Sequence, residues 1–382
     1  MQTIGILLPR STYYQSIGFD LYEGLRSGIK QTGREDIKIV TENIGFGADK
    51  QQCYRSTERL LLEENASIII AYIGHRTAEL LKPLFLATNK ILIVLDAGAN
   101  MPTEWPTCPN IFYHSLHNTL GAWLTAKKAI NDGYTNGGMV TGYYDAGYLH
   151  TYSISKSFEN AGGKICFNHA TGYKESDFTM KPLKEHLKKH SNSALLSLFS
   201  GDFVQWYFNE IKEEFYEKNI PIYLTPFSFE ETMLENAVYP SNAISGIASW
   251  SKKIETNQNR LFIESIEATG KTPNLFSLLG WESAIITLKV LDSAAENKNK
   301  IAQIATELHS FEFEGPRGKI SFDAKTNNSI SPLYEASIIE NKGMCEVKIG
   351  PEIKNIKKEF EEMCQLPLEN NISAWYNSYT CI

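Results

Sequence analysis

The feature that most constrains this chain is an alternation of short β-rich apolar runs with amphipathic helical stretches, run through twice. Apolar runs at residues 4–8, 37–40, 67–73, 91–95 and 111–114 are separated by segments of helical spacing, in which Leu21, Leu25 and Ile29 fall on one face. A helix at residues 78–88 is expected to be interrupted by Pro83. The pattern restarts at Asn118, predicted to cap a helix to residue 130, with strands at 138–141, 164–168, 194–199, 221–225 and 244–249 and helices at 147–160, 179–190 and 202–218. Strand–helix–strand repeats of this kind build a parallel sheet covered on both faces.

After Trp250 the order changes. Helices are predicted near 257–269, 278–295 and 301–308, then strands at 318–322, 332–339 and 345–349, turning at Asn327-Asn328 and Asn341-Lys342-Gly343. The predicted fold class is α/β: two doubly wound parallel-sheet lobes joined by a multi-crossing hinge, with a ligand cleft between them. Residues 1–117 with about 252–325 are expected to form the first lobe, 118–251 with about 326–350 the second, and 351–382 a C-terminal extension.

Size and composition agree with two packed lobes. At 382 residues the chain exceeds the length at which one core usually keeps growing, and 42% hydrophobic with 21% charged residues is ordinary for a globular protein. With 37 basic against 44 acidic residues the net charge of −7 offers no attraction to phosphate backbones, so nucleic acid is excluded as an expected partner. The basic run at 181–189 reads as a solvated helix face above Leu183 and Leu187. The longest apolar stretches fall well short of the roughly 20 residues that span a bilayer, so no membrane insertion is expected. Residue 1 leads straight into a strand, without the pattern of a secretory signal. Two placements stay open: periplasmic or extracellular if a signal segment has been removed, otherwise cytoplasmic. The six cysteines show no metal-ligand spacing, so no metal or cofactor is expected; for Cys345, Cys364 and Cys381, a disulfide tying down the tail and buried free thiols both stay open.

In open parallel sheets the ligand crevice lies outside the carboxyl ends of the strands. That rule selects Tyr13 and Tyr14 after the first strand, His75, Arg76 and Thr77 after the third, and Ala97, Gly98 and Ala99 after the fourth. From the second set it selects Tyr144, Asp145, Tyr148, Asp202, Phe203 and Phe227. His75-Arg76-Thr77 leads into a helix whose free N–H groups favour an anion, the bland reading being a Thr77 cap with Arg76 in solvent. Ala97-Gly98-Ala99 offers backbone amides with little bulk, for a ligand or for tight packing. Tyr144, Tyr148 and Phe203 are candidate aromatic walls; Asp145 and Asp202 are candidate partners for an ammonium group, with Asp202 also readable as a helix cap. No catalytic residue is assigned: the sequence holds no nucleophile elbow, phosphate loop or zinc-protease motif, and a His75–Asp96 base pair lacks a nucleophile.

Several pieces in order resemble the periplasmic binding proteins of type I, in particular the branched-chain amino-acid receptors of ABC transporters. They are the opening Ile4-Gly5-Ile6-Leu7-Leu8-Pro9 with Gly18-Phe19-Asp20 and Gly24, the third strand ending Tyr72-Ile73-Gly74-His75, and residues 91–94 with Ala97-Gly98-Ala99. To these add Gly280-Trp281-Glu282-Ser283-Ala284 and the most distinctive stretch, residues 313–323 around Gly315-Pro316-Arg317-Gly318. The resemblance covers about residues 1–350 and implies a non-enzymatic receptor that closes on a small amino-acid-like, polar or aromatic solute and works with the membrane subunits of an ABC transporter. Where that family grips an α-amino acid through Ser and Thr, this chain reads Thr77-Ala78-Glu79 and Ala97-Gly98-Ala99-Asn100, so the pattern is only partly kept. The alternative is a cytoplasmic ligand sensor of the same fold controlling a regulatory partner.

Overall fold

A computed structural model describes residues 1–189, 193–215, 220–235, 237–369 and 371–380. The expected helix ends His190 and Lys218, and Cys381, lie outside these described residues.

The first lobe carries β1 (Gln2–Leu8), α1 (Ile17–Gln31), β2 (Ile37–Asn43), α2 (Lys50–Leu62), β3 (Ile68–Tyr72), α3 (His75–Thr88), β4 (Ile91–Asp96) and β5 (Ile111–Ser115), its strands in the parallel order β2-β1-β3-β4-β5. Every residue of β3, β4 and β5 is buried, which is why β3 and β4 read as nearly unbroken apolar runs. Contrary to the expected interruption, α3 continues through Pro83. Pro83 itself is exposed on the helix surface.

The second lobe follows with α4 (Asn118–Asn131), β6 (Asn136–Thr141), α5 (His150–Asn160), β7 (Lys164–Ala170), α6 (Lys181–Lys189), β8 (Ala194–Leu198), α7 (Asp202–Phe215), β9 (Ile222–Leu224), α8 (Glu231–Leu234) and β10 (Ile244–Ala248). The chain then returns to the first lobe as α9 (Asn257–Glu267), α10 (Leu275–Glu296), α11 (Ile301–Ser310) and a small antiparallel sheet of β11 (Phe313–Gly315), β12 (Gly318–Phe322) and β13 (Ser329–Ile330). It re-enters the second sheet as the hairpin β14 (Tyr334–Asn341) and β15 (Met344–Glu352), giving the order β15-β14-β10-β9-β8-β6-β7, and continues into α12 (Ile356–Met363).

The backbone thus passes between the sheets at 116–117, 249–251 and 331–333. Asn328 still bridges to Tyr113 of β5, which keeps the chain with the first sheet to about residue 330. The crossings brace one another: Ser249 Oγ donates to the Leu116 carbonyl (2.5 Å), and Ser331 N–H donates to His117 Nε2 (3.3 Å). His117, at φ 58°, takes the cap position of α4 that the sequence suggested for Asn118. Asn118 is instead the first residue of the helix, its side chain turned into the protein interior.

Within the first lobe α1 and α10 pack backbone to backbone. A Cβ at Gly24 would collide with the Ser277 carbonyl, and one at Gly280 with the Leu21 carbonyl, so glycine sets the helix separation.

Candidate ligand-binding cleft

The carboxyl ends of β1, β3 and β4 face those of β6, β8 and β9 across the hinge, and the loops leaving them meet. Tyr13 and Tyr14, in the loop after β1, reach the opposite lobe: the Tyr13 hydroxyl donates to the Ser200 carbonyl, and the Tyr14 hydroxyl accepts from Gly201 N–H (2.9 Å). Tyr13 also packs on Tyr144 and Phe203, at ring separations of 5.2 and 5.8 Å. The lobes are therefore in contact, in a closed arrangement.

At the floor lies a fully buried polar cluster. Asp145 sits on a single turn of 3₁₀ helix at 145–147, and the helix expected from residue 147 begins at His150. Its Oδ2 accepts from Ser200 Oγ (2.6 Å) and its Oδ1 from the Tyr379 hydroxyl (3.1 Å). Burial pushes its carboxyl up to about 7, against the lowering effect of those hydrogen bonds. Asn118 Nδ2 lies 2.8 Å from His150 Nδ1 and donates to the Tyr379 oxygen (2.7 Å). Burial holds the His150 imidazole down to about 3, so it is neutral at physiological pH. Asn118 Oδ1 and His150 Nε2 are buried without hydrogen-bond partners.

The fifth member of this cluster, Tyr379, is distant in sequence from the other four. Residues 373–380 run through the cleft, with the Tyr379 ring fully buried and stacked on Phe227 at 4.1 Å. Burial, then the Asp145 carboxylate, push its phenol well above the ordinary tyrosine value, so the hydroxyl keeps its proton and donates. Trp375 Nε1 donates to the Tyr144 carbonyl (2.8 Å), and Arg76 donates to the Ser373 carbonyl (2.6 Å) while lying 5.3 Å over the Tyr376 ring. Beside the tail an aromatic cavity of about 430 Å³ opens between Phe46, Tyr143, Tyr173 and Tyr376. A second recess, about 320 Å³, lies between Tyr14, Asp202, Glu230 and Phe276. The Glu230 carboxyl beside it is raised to about 7 by burial.

The loop-end rule thus brings Tyr13, Tyr14, Arg76, Tyr144, Asp145, Tyr148, Phe203 and Phe227 to the cleft or its walls, and places Asp202 exposed at the rim as the first residue of α7. Others are corrected. Gly98 does not offer an open amide to a ligand: its N–H donates to Asp96 Oδ1 (2.5 Å), and the Ala97 and Gly98 carbonyls accept from Asn118 and Thr119 N–H at the first crossing. Gly98, at φ 76°, abuts the backbone of His117. Their small size serves the hinge. His75 is buried with its Nε2 2.9 Å from Asp96 Oδ2. Burial pulls its imidazole down, and the Asp96 hydrogen bond and charge outweigh that, leaving it raised. Thr77 does not cap α3, a position held by Gly74, and its hydroxyl donates to the Gly47 carbonyl (3.3 Å). Arg76 is not in solvent but on the tail.

Asn118, His150, Ser11 and Tyr379 escaped the sequence reading; the only signal for the last was the aromatic density of Trp375, Tyr376 and Tyr379 in a segment beyond the predicted lobes. Cys345 and Cys364 are free thiols. Among the described residues no cluster is suited to a metal, and no helix is long and apolar enough to cross a membrane.

Two hinged α/β lobes closing on a polar-floored cleft define a solute-binding architecture. The periplasmic binding protein family matches residues 2–343, and the chain belongs to that family. Among solved structures, an ABC transporter substrate-binding protein from Sphaerobacter thermophilus is 17% identical with a TM-score of 0.78, the alignment covering 92% of this chain and 97% of that one. A solute-binding protein of an ABC transporter from Rhodopseudomonas palustris, in complex with p-hydroxybenzoic acid, is 15% identical with a TM-score of 0.75 and coverages of 92% and 96%. A leucine-binding protein from Thermotoga maritima is 14% identical with a TM-score of 0.70 and coverages of 94% and 100%. At these identities the likeness establishes the fold. No curated protein matches the chain.

Proposed function

We propose that this protein is the solute receptor of an ABC transporter, binding a small polar or aromatic molecule between its lobes without chemical conversion and presenting the closed form to the membrane subunits. The observation that carries the reading is the buried floor of Asn118, Asp145 and His150 where the lobes meet, with Asn118 Oδ1 left without a hydrogen-bond partner and His150 Nε2 no nearer than 3.6 Å to Asp145 Oδ1. Unsatisfied buried groups are costly, and a bound solute that pairs with them recovers that cost. The aromatic walls Tyr14, Tyr148 and Phe227 favour an aromatic solute over a simple aliphatic amino acid, in keeping with the aromatic acid bound by the Rhodopseudomonas protein. A periplasmic or extracellular setting follows from this role. The sensor alternative is not favoured, since the similar structures named above are transporter receptors.

Hinge closure is a population shift limited by the ligand's preference for the closed form. A thermal-shift screen with aromatic acids, amino acids and small carboxylates tests the assignment: a ligand at 100 times its Kd adds about 2.7 kcal/mol of stability. Stabilisation by one chemical class supports it; a flat response across all classes counts against it.

A further inference from the structure

The ligand seat of this cleft is filled by the chain itself. Tyr379 contributes a 4-hydroxyphenyl group to the floor, and its peptide is held from both lobes: Ser11 Oγ donates to its carbonyl (2.8 Å), and its N–H donates to the Tyr148 hydroxyl (2.8 Å). Tyr72 donates to the Ser378 carbonyl (3.1 Å), while Asn377 Nδ2 donates to the Tyr72 carbonyl (3.2 Å). Two glycines are cut to fit. A Cβ at Gly74 would strike the Tyr376 carbonyl, and one at Gly147 the Trp375 ring; neither has the positive φ that would otherwise call for glycine. The docking is therefore specific, and it lies beyond residue 343, where the family match ends.

The fit is nonetheless incomplete. Asn118 Oδ1 remains without a hydrogen-bond partner and His150 Nε2 lies 3.6 Å from Asp145 Oδ1, beyond hydrogen-bond distance, although both side chains are fully buried. A permanent structural strap gains nothing from leaving them so, whereas a free solute with one more polar group on its ring would pair with them.

We propose that residues 373–380 are a tethered ligand of the cleft, seating the Tyr379 phenol where a free 4-hydroxyphenyl solute binds, so that tail and solute exclude each other. This rests on the reading of the cleft as a solute site and names the ligand class.

The test uses the full chain, with 4-hydroxybenzoate as probe and two readouts: calorimetric affinity, and chymotryptic cleavage after Trp375, Tyr376 and Tyr379 followed by mass spectrometry. Gly74→Ala pushes on the tail without touching the floor. It is expected to raise probe affinity at least tenfold and to speed tail cleavage; in the wild-type protein, saturating probe is expected to speed cleavage several-fold. Tyr379→Ala, judged folded by circular dichroism, repeats the comparison from the other side of the contact. Equal affinity in wild type and variants, no binding of the probe to either, or protection of the tail by bound probe overturns the proposal. If a different chemical class then stabilises the variants in the thermal screen, the tethered-ligand idea alone has failed and the receptor reading stands. If the tail is released but no class in the screen binds, the receptor reading has failed with it.

Discussion

Glu282 and Arg317 form a fully buried, two-pronged ion pair, with Arg317 Nε 3.0 Å from Oε1 and Nη2 2.6 Å from Oε2. Glu282 lies in α10 and Arg317 in the turn between β11 and β12, so the pair pins the small sheet to the long helix. His114 of β5 adds its Nε2 to Glu282 Oε2 at 2.8 Å. Burial alone would raise the Glu282 carboxyl, but the guanidinium outweighs it and holds the group below its ordinary value. Breaking a buried pair from one side strands a charge. Arg317→Met is expected to cost about 3–5 kcal/mol in denaturant unfolding, and Arg317→Met with Glu282→Leu to cost less than the single change.

The contact between α1 and α10 predicts a different kind of loss. Gly280→Ala adds one methyl where the Leu21 carbonyl already sits, so the helices must separate. Overpacking of this kind costs about 1–3 kcal/mol, read as a lower urea midpoint with an unchanged slope.

Closure depends on the Tyr14 hydroxyl. Tyr14→Phe leaves the Gly201 N–H without its partner, a loss of about 1–3 kcal/mol when the donor stays buried. Opening the lobes rehydrates that donor, so the variant is expected to populate a more open form. Small-angle scattering should show a larger radius of gyration than wild type; an unchanged radius would mean that other contacts set the closed state.

Asp145 gives a pH prediction with a definite sign. Its carboxyl is raised in the folded protein to about 7 from an ordinary 3.8, so folding binds a proton between those values. Its contribution to stability is fully present below the unfolded pKa and is lost as pH rises through 7. Relative to Asp145→Asn, wild type should therefore gain stability as pH falls from 7.5 to 4, by at most about 4 kcal/mol. His117, held down to about 3 by burial, pulls the opposite way, since unfolding lets it take up a proton below its ordinary value. His117 is present in both proteins and cancels in the difference; His150, also held down to about 3 and 3.6 Å from Asp145 Oδ1, titrates together with the carboxyl, so the difference reports the Asp145–His150 pair. Parallel pH profiles would remove Asp145 from the account.

The sheets were legible because burial on both faces turns β3 and β4 into continuous apolar runs, whereas the stretch at 313–323 was legible only as the most distinctive piece of the resemblance to the binding-protein family. Small residues after a strand were ambiguous in kind: Ala97-Gly98-Ala99 does mark a close approach, but the approaching group is the hinge backbone at His117 and Asn118. Asn118 looked like a cap because its helix begins there, and only the left-handed His117 shifts the cap back by one residue. The tail was out of reach for another reason. Ser11 and Tyr379 are 368 positions apart, and no local periodicity encodes a contact made by two loops and a chain end.

Since Tyr379 is covalently part of the protein it occupies, its local concentration does not fall on dilution. The docking equilibrium of 373–380 therefore acts as a fixed threshold: the apparent Kd for solute is the intrinsic one divided by the fraction of molecules with the tail released. Every tenfold gain in docking raises the solute level needed for half-occupancy tenfold. A substitution at Gly74, which lies against the tail and not on the floor, would retune the concentration at which the protein responds.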